Sequence, residues 1–237
     1  MKTTGNPARR GHALAAAIAL AASGGAWAAG HFDVDDAGML DPGQCQYEAW
    51  ATRARVAGGE PATTAHLGPA CRVGAVELGL NLDHLWAHGE RGTVLAGPQL
   101  KWTFFGQQAG APLAAALSVS AIFDTVRGGR AGGQFVIPVT WLATEQLQIH
   151  ANLGADWAPV SGARTVRAGL AAEWAVSTQL SLIAERNRAA GVWTSRVGLR
   201  FSFTPLISLD LSAARIGSGP GRGHGVAVGL NHAFDWR

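Results

Sequence analysis

The stretch HGVAVGLNHAFDWR, residues 224–237, alternates two kinds of side chain from Val226 to Trp236. Large or apolar residues occupy every second position, and small or polar residues lie between them. Successive side chains of a β-strand point to opposite faces, so such a strand has one apolar face. Phe234 and Trp236 lie together on that face. The alternation predicts a strand that borders an apolar medium on one side and polar groups on the other.

The same period of two recurs along the chain, for example in AVELGLNLDHLW (75–86) and LQIHANLGADW (147–157). Gly, Pro, Ser or charged residues separate the segments, and tight turns alternate with longer loops rich in Gly and Arg. An even number of strands with short turns at one end is typical of an outer-membrane barrel. We predict twelve strands, at residues 44–55, 63–71, 75–87, 93–105, 113–126, 134–143, 147–158, 165–176, 179–187, 192–203, 206–215 and 225–236.

Aromatic residues of the apolar face gather near both ends of the predicted strands. Trp193 and Phe203 lie ten residues apart on one strand, and a tilted membrane-spanning strand needs about 9–11 residues. The alternative, a secreted soluble barrel or sandwich, gives no reason for two aromatic girdles. The sequence therefore predicts an all-β, transmembrane, antiparallel up-and-down barrel over residues 44–237. One girdle comprises Trp86, Phe123, Phe135, Trp157 and Trp193, and the other comprises Tyr47, Trp102, Phe104, Trp141, Trp174, Phe203 and Trp236.

The first 28 residues have the features of a cleaved secretory signal peptide. Basic residues precede the short apolar run ALAAAIALAA (13–22), and Ala26-Trp27-Ala28 has the form of a cleavage site. A buried N-terminal helix is the alternative. We expect residues 29–43 to form a solvated periplasmic lead-in segment, since their aspartates lack the ligand spacing of a calcium loop. The predicted location is the outer membrane of a Gram-negative bacterium.

Cys45 and Cys71 are the two cysteines of the chain. In an exported protein such a pair predicts a disulfide, whereas two thiols alone make a poor zinc site. Folding the first two strands about the turn AGGE (57–60) places the cysteines opposite each other at the periplasmic end. A register slip of one residue would turn them to opposite faces. We predict no metal site and no cofactor.

Charged residues at inward positions are the candidate lining of a lumen. Acidic residues outnumber basic ones among them, so an open lumen would prefer cations or neutral polar solutes. Ion pairs that only brace the wall are the alternative. Small inward residues on strands five and twelve predict that any pore lies against those strands. The lumen candidates are Glu48, Glu77, Asp83, Lys101, Asp156, Arg167, Glu173, Glu185, Arg196, Arg200 and Asp210.

The longer loops are rich in arginine, beginning with Arg55, and contain few acidic residues. Guanidinium groups bind phosphate well, so we expect these loops to contact lipopolysaccharide. A solvated rim is the alternative. Basic and acidic residues balance after removal of the signal peptide, which argues against a nucleic-acid partner. The lipopolysaccharide candidates are Arg91, Arg127, Arg130, Arg164, Arg188 and Arg222.

An enzyme is the class with least support in the sequence. A lipid hydrolase would need a histidine beside a serine or an acid near the outer edge of the barrel. His84 beside Asp83, His88 and His224 are the nearest candidates, and no GxSxG-like setting surrounds them. We therefore predict that the protein is not an enzyme, and a lipid-modifying enzyme is the lesser alternative.

The first third of the chain resembles a group of proteobacterial outer-membrane barrel proteins described as transporters or porin-like. The resemblance implies an outer-membrane barrel of undefined substrate, and beyond this third it is only the barrel pattern. Its features are the acidic HFDVDDAGMLDPG (31–43), a Cys-x-x-Glu opening of the first strand, GPAC (68–71) and VELGL (76–80). The shared positions are Cys45, Glu48, Cys71 and Glu77.

The predicted function is passive passage of small polar or cationic solutes. Eight-stranded barrels are filled by side chains and barrels of 16–18 strands hold aqueous channels, so twelve strands should leave a narrow lumen. The alternative is a non-conducting structural barrel whose arginine-rich rim binds lipopolysaccharide. The expected partners are outer-membrane lipids, lipopolysaccharide, the barrel assembly machinery and a small polar solute.

Phe234 and Trp236 are the expected assembly signal, because barrels of this kind usually end on an aromatic residue that the assembly machinery reads. Deleting Trp236 and Arg237 should impair assembly far more than replacing Arg237 alone. The measurement is the fraction of heat-modifiable, folded barrel in outer-membrane preparations. Equal losses in the two variants would contradict this assignment.

Overall fold

The computed structural model describes residues 31–108, 111–158 and 161–236, which form a closed antiparallel barrel of twelve strands. The predicted all-β, up-and-down barrel is confirmed, and the predicted signal peptide, residues 1–28, lies outside the described residues. The strands are β1 (Gln44–Val56), β2 (Ala62–Val73), β3 (Val76–Ala87), β4 (Thr93–Phe105), β5 (Leu113–Asp124), β6 (Arg130–Leu142), β7 (Leu147–Ala158), β8 (Ala163–Ala175), β9 (Leu180–Ala189), β10 (Val192–Thr204), β11 (Ile207–Ile216) and β12 (Gly223–Asp235).

The barrel is closed by the pairing of β1 with β12, which runs from Gln44 opposite Asp235 to Val56 opposite Gly223. Beyond the strand, the Trp236 N–H donates to the Gly43 C=O at 3.0 Å. Alternation in β12 turns its apolar side chains outward and its small side chains inward. Because the last strand pairs with the first, no sheet edge presents unpaired N–H and C=O groups to the bilayer.

The outward face is apolar between two belts of aromatic side chains. Leu153 and Val197 are both 63% exposed, and Trp193 and Phe203 lie near opposite ends of β10. Contiguous apolar surface of this extent is unfavourable in water and is solvated by a bilayer, so the barrel is a membrane-spanning one. Among the described residues, no helix is long and apolar enough to cross a membrane.

The two ends of the barrel differ in their connections. The end at which β1 begins and β12 ends has two-residue turns at 74–75 and 205–206, together with the longer connection 106–112. The opposite end has the two-residue turn 190–191, and its other connections include the loops 57–61, 88–92, 125–129 and 217–222. Short turns of outer-membrane barrels are periplasmic, so we call the first end periplasmic and the second extracellular.

Cys45 and Cys71 lie opposite each other on β1 and β2 and form a disulfide near the periplasmic end. The register continues from this pair to Ala54 opposite Ala62 at the other end of the hairpin. The predicted disulfide is confirmed. The disulfide therefore links β2 to β1, the strand whose pairing with β12 closes the barrel.

Removing the disulfide should destabilise the barrel without changing its register. The bond joins residues 26 apart in sequence, and restricting the unfolded chain by a loop of this size is worth about 3 kcal/mol. We expect Cys45→Ser, Cys71→Ser and the double variant to unfold at the same urea concentration, which is lower than that of the unaltered protein. The folded fraction at each urea concentration is read from heat-modifiable gel mobility. A further loss in the double variant would show that the cysteines act through packing and not through their bond.

Candidate functional site

A segment that precedes β1 runs through the barrel lumen. We call residues 31–41 the luminal strap. Six of its first seven residues are buried, including the polar His31, Asp33 and Asp35. This differs from the solvated lead-in expected for residues 29–43, of which 29 and 30 lie outside the described residues. The physical reason is that the inner wall supplies partners for the charges and peptide groups of the strap.

The most deeply buried contact of the strap is the ion pair between Asp35 and Lys101. Lys101 Nζ lies 3.0 Å from Asp35 Oδ1 and 3.5 Å from Asp36 Oδ1. Asp35 is 0% exposed and Lys101 is 2% exposed, so both charges are withdrawn from bulk water. Breaking such a pair is costly, because the remaining member is an uncompensated buried charge. This pair fixes the strap to β4.

Burial shifts the pKa of two side chains of the strap, Asp35 and His31. It raises the pKa of Asp35 to about 7, against the opposing effect of the Lys101 ammonium. Burial lowers the pKa of His31 to about 3, and nearby guanidinium groups act in the same direction. The His31 imidazole is therefore neutral at neutral pH, and its Nε2 lies 2.6 Å from the Ser212 hydroxyl oxygen.

A second anchor joins the strap to β9 and β10. Arg196 lies 3.0 Å from Asp33 Oδ2 and 3.3 Å from Glu185 Oε1. Glu185 Oε2 also accepts the backbone N–H of Asp33 at 3.0 Å and that of Val34 at 2.9 Å. One wall carboxylate thus serves a guanidinium and two peptide donors, which satisfies its several lone pairs in a buried position.

Hydroxyl and carboxylate groups hold the strap backbone nearer the periplasmic end. Thr140 Oγ1 accepts the Ala37 N–H at 2.8 Å, and the Thr103 hydroxyl donates to the Ala37 C=O at 2.6 Å. Glu77 Oε2 accepts the Leu40 N–H at 2.8 Å. The strap is therefore bound by β3, β4 and β6 as well as by β9 and β10.

Glycines of the wall make room for side chains of the strap. A Cβ at Gly169 of β8 would lie 2.7 Å from Val34 Cγ2. One at Gly229 of β12 would lie 3.0 Å from His31 Nδ1. Small residues of β12 were expected to border an open pore, but the space beside Gly229 is taken by the strap. Close approach of strap and wall is the reason for glycine at these positions.

The predicted lumen residues that do not hold the strap are also on the inner wall. Arg200 lies 2.9 Å from Asp210 and 3.3 Å from Glu173. Arg167 lies 2.8 Å from Asp156, and only 1% of the Arg167 surface is exposed. The Arg200–Asp210 and Arg167–Asp156 pairs join neighbouring strands, and the Arg200–Glu173 pair spans from β10 to β8, so these ions have the partners that buried charges require.

A further polar cluster occupies the inner faces of β1, β2 and β3. His66 Nδ1 lies 2.7 Å from Asp83 Oδ1, and the Trp50 ring stacks on His66 at 4.7 Å between ring centres. Glu48 is buried on the same face of β1.

Sequence reasoning missed two inward side chains of β2, His66 and Arg72. The Arg72 Nη1 donates to the Leu40 C=O of the strap at 2.8 Å. Both residues are an even number of positions from Thr64 along β2, so they point to the same inner face on which Thr64 is buried. Their position in the alternation is the signal that could have found them.

The arginines predicted to contact lipopolysaccharide lie at or near the extracellular end. Arg127 is paired with Asp124 at 3.2 Å, within the same loop region. Arg188 lies on the outward face near the end of β9. The remaining candidates are exposed: Arg91, Arg130, Arg164 and Arg222.

The histidines considered as catalytic candidates are exposed and face away from the lumen acids. The His84 ring lies 4.7 Å from the Trp86 ring on the outward face, whereas Asp83 is buried on the inward face. His88 and His224 are also exposed. The described residues include no group of three His, Cys, Asp or Glu side chains that could hold a metal ion. His84 and Asp83 thus lie on opposite faces and form no acid–base pair.

Comparisons with known proteins agree with this architecture. Residues 16–232 match the family described as "Uncharacterised conserved protein UCP029691". Among curated proteins, no sequence matches this chain. The chain is similar to the KdgM porin, with 9% identity, a TM-score of 0.57, and coverage of 79% of this chain and 99% of that one. It is also similar to the COG4313 outer membrane channel from Pseudomonas putida F1, with 13% identity, a TM-score of 0.55, and coverage of 84% of this chain and 98% of that one. For the NanC porin the identity is 9% and the TM-score 0.55, with coverage of 78% of this chain and 98% of that one. At these identities the likeness shows a shared fold, that of porin-like outer-membrane barrels.

Replacing Lys101 by Met should destabilise the barrel by about 3–5 kcal/mol, because it leaves the Asp35 carboxyl buried without its cation. The double variant Lys101→Met/Asp35→Asn should recover a large part of this loss, since neither charge then remains unpaired in the pair. Urea unfolding of the refolded barrels measures the loss of stability in the single variant and its recovery in the double variant. A double variant that is less stable than Lys101→Met alone would show that the two groups are not coupled.

Proposed function

The chain belongs to the family described as "Uncharacterised conserved protein UCP029691", and we propose that it is an outer-membrane channel for small polar or cationic solutes. In this proposal the lumen is closed at rest by the luminal strap and conducts when the strap withdraws. The observation that carries the proposal is the strap itself. It is an acidic peptide held inside a largely polar lumen by ion pairs and hydrogen bonds that water can replace, together with the packing of Phe32 and Val34.

The composition of the inner wall supports a lumen built for water. The Asn81 amide donates to Gln99 at 2.7 Å, and the Gln99 amide donates to Ser118 at 3.4 Å, which forms a polar row across β3, β4 and β5. A barrel needed only as a packed body could fill its interior with apolar side chains, as compact β cores do. A polar inner face is the pattern of membrane barrels whose interior holds an aqueous path or is closed by a segment of the chain, as the strap closes this one.

The contacts of the strap are of a reversible kind. The Asp35–Lys101 and Asp33–Arg196 pairs are buried because strap and wall cover each other. Withdrawal would hydrate both members of each pair at the same time, so neither would be left as an isolated buried charge. Withdrawal therefore costs far less than removing one member by mutation.

The charge of the uncovered wall supports a preference for cations. Withdrawal removes Asp33, Asp35 and Asp36 from the lumen together with the strap. The charged wall residues assigned from the sequence comprise seven acids and four bases. A lumen of this balance favours cations and neutral polar solutes over anions.

The outer membrane is the proposed location. Support comes from the outward apolar belt and from the fold that the chain shares with porin-like barrels. Export through a cleaved signal peptide and insertion by the barrel assembly machinery belong to the same proposal. It includes no enzymatic step.

A non-conducting structural barrel is the second candidate. Its support is the density of ion pairs inside the wall, where Arg200 alone joins β10 to Glu173 of β8 and to Asp210 of β11. Such pairs brace a wall whether or not it conducts. We favour the channel because bracing does not require a peptide segment threaded through the lumen.

Deleting residues 31–40 should convert a mostly closed barrel into an open one. We expect rare and brief current steps from the refolded full-length protein in a planar bilayer. The deletion variant should show long-lived steps, with a reversal potential in a salt gradient that indicates cation preference. A synthetic peptide of residues 31–41 should close the deletion variant, and a scrambled peptide of the same composition is the matched control.

Each alternative outcome of this experiment has a defined meaning. Silence of both proteins, with heat-modifiable mobility intact, would favour the structural barrel. Equal conductance of the two would show that the strap is not the gate. Anion preference of the deletion variant would contradict the proposed solute class.

A further inference from the structure

A row of polar and basic side chains crosses the outward face of five adjacent strands, and we propose that it binds the phosphate groups of lipopolysaccharide. The register places Ser195 of β10 opposite both Arg186 of β9 and Arg215 of β11. It places His224 of β12 opposite both Arg215 and Arg55 of β1. We call these five residues the cationic row. They are direct neighbours across β9, β10, β11, β12 and β1.

The basic side chains of the cationic row point away from the lumen. Arg55, Arg186, Arg215 and His224 are all exposed. The residues beside them in sequence, such as Asn187 and Ile216, are buried on the inner side. Adjacent strands lie about 4.8 Å apart, so a row over five strands is about 19 Å wide, which is enough for more than one phosphate group.

The rows beneath the cationic row are apolar apart from one arginine. Nearer the membrane centre, the register first aligns Ala184, Val197, Ala213, Val226 and Arg53. The next row inward consists of Leu182, Leu199, Leu211, Val228 and Ala51. A lipid has the same order, with charged phosphate groups at the end of apolar acyl chains. The wall thus matches a phosphorylated lipid in both charge and depth.

The Arg186 side chain shows how a guanidinium is carried on this wall. It donates to Ser195 Oγ at 3.1 Å, and its Cζ lies 4.9 Å from the centre of the Trp193 ring. Trp193 belongs to the extracellular girdle, so the Arg186 side chain reaches towards the headgroup region with its methylene groups along the wall. A guanidinium has five N–H donors, which leaves donors for a phosphate oxygen.

The charges of the cationic row are not matched by nearby acids. The ion pairs found among the described residues do not include Arg55, Arg186 or Arg215. The row and the two rows beneath it contain no carboxylate. An arginine on the lipid face is tolerated near the membrane interface and is favoured by an anionic headgroup. The row lies at the extracellular end, where the outer-leaflet phosphates are those of lipopolysaccharide.

The row contains none of the six lipopolysaccharide candidates named in the sequence analysis, although Arg55 was counted there among the loop arginines, and the row does not depend on conduction. The triple variant Arg55→Gln/Arg186→Gln/Arg215→Gln removes its guanidinium groups. The comparison variant Arg91→Gln/Arg130→Gln/Arg222→Gln, called the loop variant, removes the same charge from two loops and from the first residue of β6. Each refolded protein, in phosphatidylcholine vesicles, is titrated with purified lipopolysaccharide and followed by tryptophan fluorescence. The row variant should bind at least about tenfold more weakly than the unaltered protein, because charge-assisted hydrogen bonds are lost.

The loop variant should keep most of the affinity, and dephosphorylated lipopolysaccharide should bind the unaltered protein as weakly as lipopolysaccharide binds the row variant. Equal weakening in the two triple variants would overturn the proposal, since binding would then follow net charge alone. Equally tight binding of phosphatidylglycerol would overturn the assignment to lipopolysaccharide. Heat-modifiable mobility confirms folding, and Arg215→Gln alone, at the centre of the row, carries the same test with a smaller loss.

Discussion

The hydrocarbon interior of a membrane offers no hydrogen-bond partner to a peptide group, and the rest of this structure depends on that constraint. It requires β1 to pair with β12 along its whole length, since any free edge would face lipid. It also requires an apolar belt on the outside, so most polar side chains of the alternating strands enter one enclosed volume. There they need partners. The luminal strap provides them, with its aspartates and its peptide N–H and C=O groups.

The strands and their two faces could be predicted from the sequence, because each segment shows the alternation of apolar and polar residues on its own. The faces of β3, β7 and β12 follow from it directly, and the Cys45–Cys71 bond follows from the register of one hairpin. The strap could not be predicted in this way. Residues 31–35 alternate polar and apolar side chains, but all five are buried, so the alternation does not separate two faces. The partners of the strap are also distant in sequence, since Asp35 and Lys101 are 66 positions apart and His31 and Ser212 are 181 apart. Such contacts exist only after the barrel has closed.

The cationic row shows a second limit of sequence reasoning. Alternation gives the outward direction of Arg215 and His224, and their adjacency follows from the β11–β12 hairpin. The adjacency of His224 and Arg55 instead depends on the stagger at which the first and last strands meet. Alternation leaves that stagger free, because any shift by two residues preserves the faces of both strands. The sequence therefore predicts which side chains face lipid but not which of them become neighbours around the ring.

Lys101 and the arginines of the lipid face lie in different surroundings. Lys101 is the one lysine that follows Lys2, and all other basic residues apart from histidine are arginine. Lys101 is buried where two carboxylates of one short segment converge, that of the buried Asp35 and that of the partly exposed Asp36. A compact ammonium with three rotatable donors fits between them, whereas a planar guanidinium needs more room and a fixed orientation. On the lipid face, that same planarity is an advantage, because its parallel N–H groups match the oxygens of a phosphate. The chain thus uses its one luminal ammonium where Asp35 and Asp36 converge, and guanidinium groups both for its other luminal carboxylates and for oxyanions that approach from outside.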